Sequence, residues 1–351
     1  GYFSGSHSIT EDRTINAAVI IITLPVISAL VNSETVEYPY LLKHIAIYTL
    51  YILMISSGYR PLYQSDKRII FFFLLLSFII ISLISGENIE LEMSAMRPGI
   101  LVNANNLSLI SLSLLFLINN ETDSLNRKII VHALVIAVLF ISATLGALFA
   151  YASGAFFKHR RAILQSRFFY LGLAIVVLLF IVTPYLNLSR FYLMNKITSQ
   201  VNVIFYTFND LISMQKIDYG TLLLQYGPSG LSGIWRMEFW ISILDYWIHS
   251  DFIQLFIGHG LGSSALLFGN VPHNEYLRIL VEQGFIGLCL IIFFYITIYG
   301  RLHTDYRYLL IIFSIFSFTE NNLDNYLYMS LLMFFLASSQ YVVSHHEENL
   351  P

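Results

Sequence analysis

Long apolar runs recur along this chain, separated by short polar connections. Crossing roughly 30 Å of hydrocarbon takes about 20 residues of helix, and runs of that order predict membrane-spanning helices. They lie at Thr14 to Val31, Tyr40 to Ser57, Ile69 to Ser85, Gly99 to Ile118, Phe168 to Leu186, Tyr276 to Tyr299, Tyr308 to Phe318 and Tyr326 to Val343, the penultimate run being short and open to extension at either end. The run Ile129 to Phe157 reads as one long helix or as two short ones joined near Ser142 to Gly146.

Charge placement chooses between these. The connections Gly58 to Arg68, Asn119 to Lys128, Lys158 to Arg167 and Gly300 to Arg307 carry Lys and Arg, whereas Asn32 to Pro39 and Gly86 to Met96 carry only acids. Basic residues stay on the cytoplasmic side. Putting all four basic connections there requires an even number of crossings between Lys128 and Lys158, hence two helices. The expectation is an all-α polytopic membrane protein of about ten spans, with 12 of its 19 Lys and Arg in cytoplasmic segments. Residues 1–13 form a cytoplasmic tail, whose opening Gly1 to Ser8 reads as appended sequence. The expected order is then helices over 14–186, a periplasmic segment over 187–272, helices over 273–343 and a cytoplasmic tail over 344–351.

Composition agrees. Hydrophobic residues are 56% of the 351, charged residues 12%, and the mean hydropathy is +0.68. That is too little charge to cover a soluble surface. A net charge of −3 does not suggest a phosphate-neutralising face, so no nucleic-acid partner is expected. The single Cys289 rules out a disulfide framework within the chain.

The 187–272 segment is the only expected non-spanning stretch long enough to build a site. Val201 to Met214 has polar interruptions at helical spacing, and Arg236 to Phe256 reads as an amphipathic helix, with Trp235 just before it and Trp240 and Trp247 within it. Gly227, Pro228, Gly230 and Gly233 punctuate the approach to that helix, and Gly258, Gly260 and Gly262 its exit.

Chemistry concentrates on the outer side. Pro272 suits a helix start, which puts His273 and Asn274 in the first turn, where free N–H groups favour anions and a neutral imidazole. A neutral His there is suited to take a proton from a hydroxyl, or simply to cap the helix. Gly284 and Gly287 leave a smooth strip for helix packing, and Glu275, Arg278 and Glu282 can pair along the helix. Arg97, Arg190, Arg236 and Arg278, with Lys196 and Lys216, form an outer set of cations suited to a polyanionic ligand or to lipid headgroups. Asn103, Asn105 and Asn106 are amides just inside a span, so they lock helices together or reach a polar ligand. Glu320, in the last outer turn, caps a helix or binds sugar hydroxyls. No clustered His, Asp and Glu ligands are evident on this side, which disfavours a metal-dependent reaction.

His273-Asn274, nine residues, then Gly284-Phe-Ile-Gly287 resembles the H-N-x9-G-x-x-G signature of the O-antigen ligase and polymerase superfamily. Arg97-Pro-Gly99 with Asn103-Ala-Asn105, Arg236-Met-Glu-Phe-Trp240, and Glu320 are similar to further family elements in the same order. One departure is Thr144-Leu145-Gly146, where the family often has Ser-Arg-Gly; Arg190 or Lys216 are the substitutes at hand.

The resemblance implies an inverting, metal-independent glycosyltransferase of the bacterial inner membrane with its site facing the periplasm. His273 would be the general base and Arg236 would stabilise the departing diphosphate. Arg97, Arg190, Lys216, Asn274, Arg278, Trp240, Asn103, Asn105 and Glu320 would bind substrate. Donor and acceptor would be glycans on undecaprenyl diphosphate, with membrane lipids and a chain-length regulator as further partners and no cofactor. Polymerisation of lipid-linked repeats is the first expectation, and ligation to lipid A-core the second. A lipid or glycan transporter, the reading from a different class, predicts midplane charges and repeated halves, neither of which this sequence has.

Overall fold

The computed structural model describes residues 9–58, 61–84, 104–118, 123–142, 144–165, 192–213, 217–322 and 325–340. Among them are thirteen α-helices, and the isolated pairing of Leu302 with Gln340 is the one strand-like contact. The helices are α1 (Ile9–Val31), α2 (Tyr38–Ser56), α3 (Ser65–Ile84), α4 (Ala104–Ser113), α5 (Leu125–Ile141), α6 (Leu145–Gln165) and α7 (Tyr192–Ile212). They continue as α8 (Tyr219–Ile248), α9 (Phe252–Ile257), α10 (Ser263–Phe268), α11 (Glu275–Arg301), α12 (Thr304–Phe316) and α13 (Tyr326–Ser338).

This is an all-helical membrane protein. Four helices among the described residues, α1, α2, α3 and α11, are long and apolar enough to cross a bilayer. Their outward faces expose Val19, Leu30, Leu42, Ile70, Phe73, Phe293 and Ile296, side chains suited to lipid. The run Ile129 to Phe157 is divided between two helices, α5 and α6. α12 extends the short run Tyr308 to Phe318 at its N-terminal side, starting at Thr304, whereas α13 stops at Ser338, short of the expected Val343; each has 13 residues, about 20 Å of helix. The expected span over Phe168 to Leu186 lies outside the described residues.

The centre of the bundle is α4. With the 3-10 turn Leu114–Leu117 that ends it, it is buried from Leu107 to Ile118. Phe116 stacks on Phe313 and Phe335 at ring separations of 5.7 and 5.2 Å, drawing α12 and α13 around it. Its polar side chains are matched within the protein. Ser108 bonds the hydroxyls of Ser142 and Thr144, which ties α4 to the turn between α5 and α6.

Backbone groups in lipid need internal partners, and two local solutions set the geometry. Pro25 interrupts α1 and has no N–H for the carbonyl of Ile21. His44 on α2 fills that role, its Nε2 lying 3.2 Å from the Ile21 oxygen. The second interruption is in α11, where Gly284 takes φ 68° and ψ −172°. Beside this break the carbonyls of Val281 and Glu282 accept N–H bonds from His259 and Gly260, both at 2.9 Å.

That seam gives Gly284 the close helix approach expected of it, through a break in α11, whereas Gly287 takes no part in it. A Cβ on Gly284 would lie 2.3 Å from the Phe256 carbonyl carbon, and one on Gly258 would lie 2.3 Å from the Gln283 nitrogen, so two backbones meet face to face. Gly287 instead makes room for the Gln283 side chain of its own helix.

α7 and α8 pair through a small core of Val203, Leu211, Ile217, Leu222 and Ile234. Asp218 caps α8 by accepting from the N–H groups of Gly220 and Thr221. Gly227, at φ 70°, breaks α8 immediately before Pro228. The expected helix from Arg236 to Phe256 therefore begins earlier, within α8, and stops at Ile248; α9 follows separately.

Candidate functional site

Side chains from three distant parts of the chain converge on Glu320, in the turn between α12 and α13. The carboxylate is buried, with 9% of the side chain exposed. Its Oε1 accepts a hydrogen bond from Asn105 Nδ2 at the start of α4 and lies 3.5 Å from Arg236 Nη2 on α8. Its Oε2 lies 3.5 Å from His273 Nδ1. Arg236 is fixed further by Nη1, which donates to the carbonyl of Thr319 at 3.1 Å. The adjoining turn is equally close, since a Cβ on Gly146 would overlap the Thr319 side chain.

His273 has 34% of its side chain exposed, against 27% for Arg236. Its Nδ1 is buried, faces Glu320 and forms no hydrogen bond among the described residues. The separation of 3.5 Å is longer than a hydrogen bond. Trp235 stands edge-on to the imidazole at 6.0 Å between ring centres.

The position of His273 is slightly different from the expectation. Helix α11 begins at Glu275, so Asn274 is its N-cap and His273 precedes the cap instead of occupying the first turn. Asn274 Oδ1 accepts from the N–H groups of Tyr276 and Leu277, a capping role, and the Glu275 N–H is bonded to the carbonyl of Ser317. The result is a rigid mount that anchors His273 against the Glu320 turn.

Other expected site residues are placed elsewhere. Arg278 is buried at 2%, with Nε 3.0 Å from Glu282 and its guanidinium over the Tyr40 ring; the expected pairing along the helix is present here. Ser264 also donates to Glu282, so this buried pair ties α10 and α2 to α11. Trp240 follows Arg236 by one turn, and its indole Nε1 is buried with no hydrogen-bond partner among the described residues. Asn103, Arg97, Arg190 and Lys216 lie outside the described residues. Among the described residues no group of three His, Cys, Asp or Glu side chains is arranged to hold a metal ion.

Two contributors had no sequence reading as site residues. The Thr319 carbonyl is a backbone group and leaves no trace in side-chain patterns. Trp235 was legible only as an interfacial aromatic, although its neighbour Arg236 marked the same turn of α8. What the cluster offers chemically is an imidazole with one nitrogen facing a carboxylate at 3.5 Å, and a guanidinium on the other oxygen of that carboxylate. Comparison with models of known protein families and with curated proteins finds no match for this chain.

Proposed function

We propose that this chain is an inverting, metal-independent glycosyltransferase that polymerises undecaprenyl-diphosphate-linked oligosaccharide repeats, of O-antigen or a related surface polysaccharide, at the periplasmic face of the bacterial inner membrane. The observation that carries this reading is the convergence of His273 and Arg236 on Glu320. It joins three of the four parts of the chain on which the family resemblance rests, and Asn105 of the fourth bonds the same carboxylate.

In this mechanism Glu320 orients the imidazole through Nδ1, leaving Nε2 to accept the proton of an acceptor sugar hydroxyl. The hydroxyl oxygen attacks the anomeric carbon of the donor as the bond from that carbon to the diphosphate oxygen breaks on the opposite face. Configuration therefore inverts, and the bonding pair leaves with the lipid diphosphate. Arg236 compensates the charge that develops there. Arg97, Arg190 and Lys216 are assigned as further contacts to the diphosphate, whereas Arg278, enclosed with Glu282, is assigned to folding. About ten crossings, with both termini cytoplasmic, belong to the same proposal.

Purified protein, reconstituted with a defined lipid-linked repeat and read on a gel, tests it. Wild type is expected to build a ladder from the repeat alone, and His273→Ala to remain folded without building one. An unchanged ladder from His273→Ala would overturn the mechanism. Activity that requires added lipid A-core would identify a ligase that uses the same chemistry.

A further inference from the structure

Two adjacent stripes of α8 meet at His273. Arg236 and Trp240 lie on one, which reaches Thr319 and Glu320 through Arg236. Trp235, Phe239 and Tyr246, at i, i+4 and i+11, fall within about 40° of one another on the other. Phe268 of α10 fits between the last two. Ring centres follow one another from His273 to Trp235 at 6.0 Å, to Phe239 at 5.3 Å, to Phe268 at 5.9 Å, to Tyr246 at 5.2 Å and to His259 at 5.3 Å. The aromatic row is continuous, and none of its rings is fully buried.

We infer that this row is a glycan-binding platform, on which the sugar rings of the acceptor stack as they lead to His273. The inference rests on the glycosyl-transfer reading for the direction of the chain, because the sugar nearest the base must be the one that loses a proton. Aromatic faces carry partial negative charge and complement the apolar, weakly positive C–H faces of a pyranose. The charged stripe beside it suits the diphosphate, so donor and acceptor would approach His273 from different sides.

A prenyl chain fits the row poorly. Lipid tails already surround such a chain with apolar groups, so it gains little by moving onto a row ended by two imidazoles, with the exposed Ser242 two turns along the same face from Trp235. A sugar, in contrast, has hydroxyls for those polar borders and a C–H face for the rings.

Two variants separate the π face from mere bulk: Trp235→Phe keeps an aromatic face, and Trp235→Leu fills much of the space without one. The probe is a lipid-free oligosaccharide released by mild acid from the lipid-linked repeat, offered to the full chain in a bilayer. On a His273→Ala background, where transfer is blocked, saturation-transfer NMR is expected to show contact with the sugar C–H protons. The signal should survive Trp235→Phe and be lost in Trp235→Leu. With His273 intact, transfer from a fixed lipid-linked donor onto varied oligosaccharide should show an acceptor KM raised roughly 3- to 10-fold in Trp235→Leu, with donor KM unchanged.

Equal binding by Trp235→Leu and the parent, or donor and acceptor KM rising together, would overturn the platform and leave the transfer reading intact. Displacement of the oligosaccharide by undecaprenol would also overturn it in favour of a lipid groove. Oligosaccharide binding by a wild-type protein that transfers nothing would sink the transfer reading instead, while the platform would stand.

Discussion

Glu320 stands between Arg236 and His273, each 3.5 Å from one of its two carboxylate oxygens. A single buried acid thus stands between an imidazole and a guanidinium. Glu320→Gln keeps the shape and the oxygen that Asn105 bonds but removes the charge. We expect transfer to fall about 100-fold with the protein still folded, measured as initial rate against wild type and checked by size exclusion. A change below about threefold would deny Glu320 its orienting role.

The seam at the break in α11 predicts a graded glycine series. Gly258→Ala and Gly284→Ala each combine a positive φ with a Cβ placed 2.3 Å from backbone. Each should cost at least about 3 kcal/mol in thermal or denaturant unfolding. Gly58 has a similar φ of 63° but open space around it, so Gly58→Ala should cost only about 1–2 kcal/mol. Equal effects at all three positions would mean that the backbone contact contributes nothing.

The match between His44 and Ile21 predicts a rescue. His44→Leu leaves the Ile21 carbonyl without its imidazole donor and should destabilise by about 1–3 kcal/mol. Pro25→Ala supplies an N–H four residues after Ile21, so the double variant should recover much of the loss. A double-mutant cycle reads the coupling directly, and simple additivity would refute it.

His259 gives a pH dependence. Burial holds its pKa below the usual value more strongly than Asp251 raises it. As pH falls below about 6.5 the unfolded chain takes up the proton first, so the stability contributed at higher pH is lost towards the lower folded value. Wild type should therefore lose more stability than His259→Asn between about pH 6.5 and 5, as followed by unfolding at fixed lipid composition. Parallel profiles would show that His259 binds its proton equally in the folded and unfolded states, and would refute the shift.

The site was legible in the sequence as a set of parts and not as an arrangement. His273, Arg236, Asn105 and Glu320 stood out because polar groups at the edge of apolar runs are costly and few. Trp235 escaped because aromatic residues at a membrane interface are common, and only its ring contact with His273 sets it apart. Arg278 had two readings from sequence, and burial beside Glu282 and Tyr40 identifies the ion pair.

Hydropathy and charge by themselves determined the helical class, the bilayer and the division of 129–157 into two helices. These follow from local composition, since lipid demands apolar side chains and internally bonded backbone wherever a segment crosses it. Tertiary structure decided where α12 and α13 end, that Gly284 breaks α11 and not merely smooths it, and that Asn105, Arg236 and His273 meet at one carboxylate. Such contacts join residues up to 215 positions apart, as between Asn105 and Glu320. Nothing in the local pattern encodes them, because they depend on how separate helices fit around the same buried core.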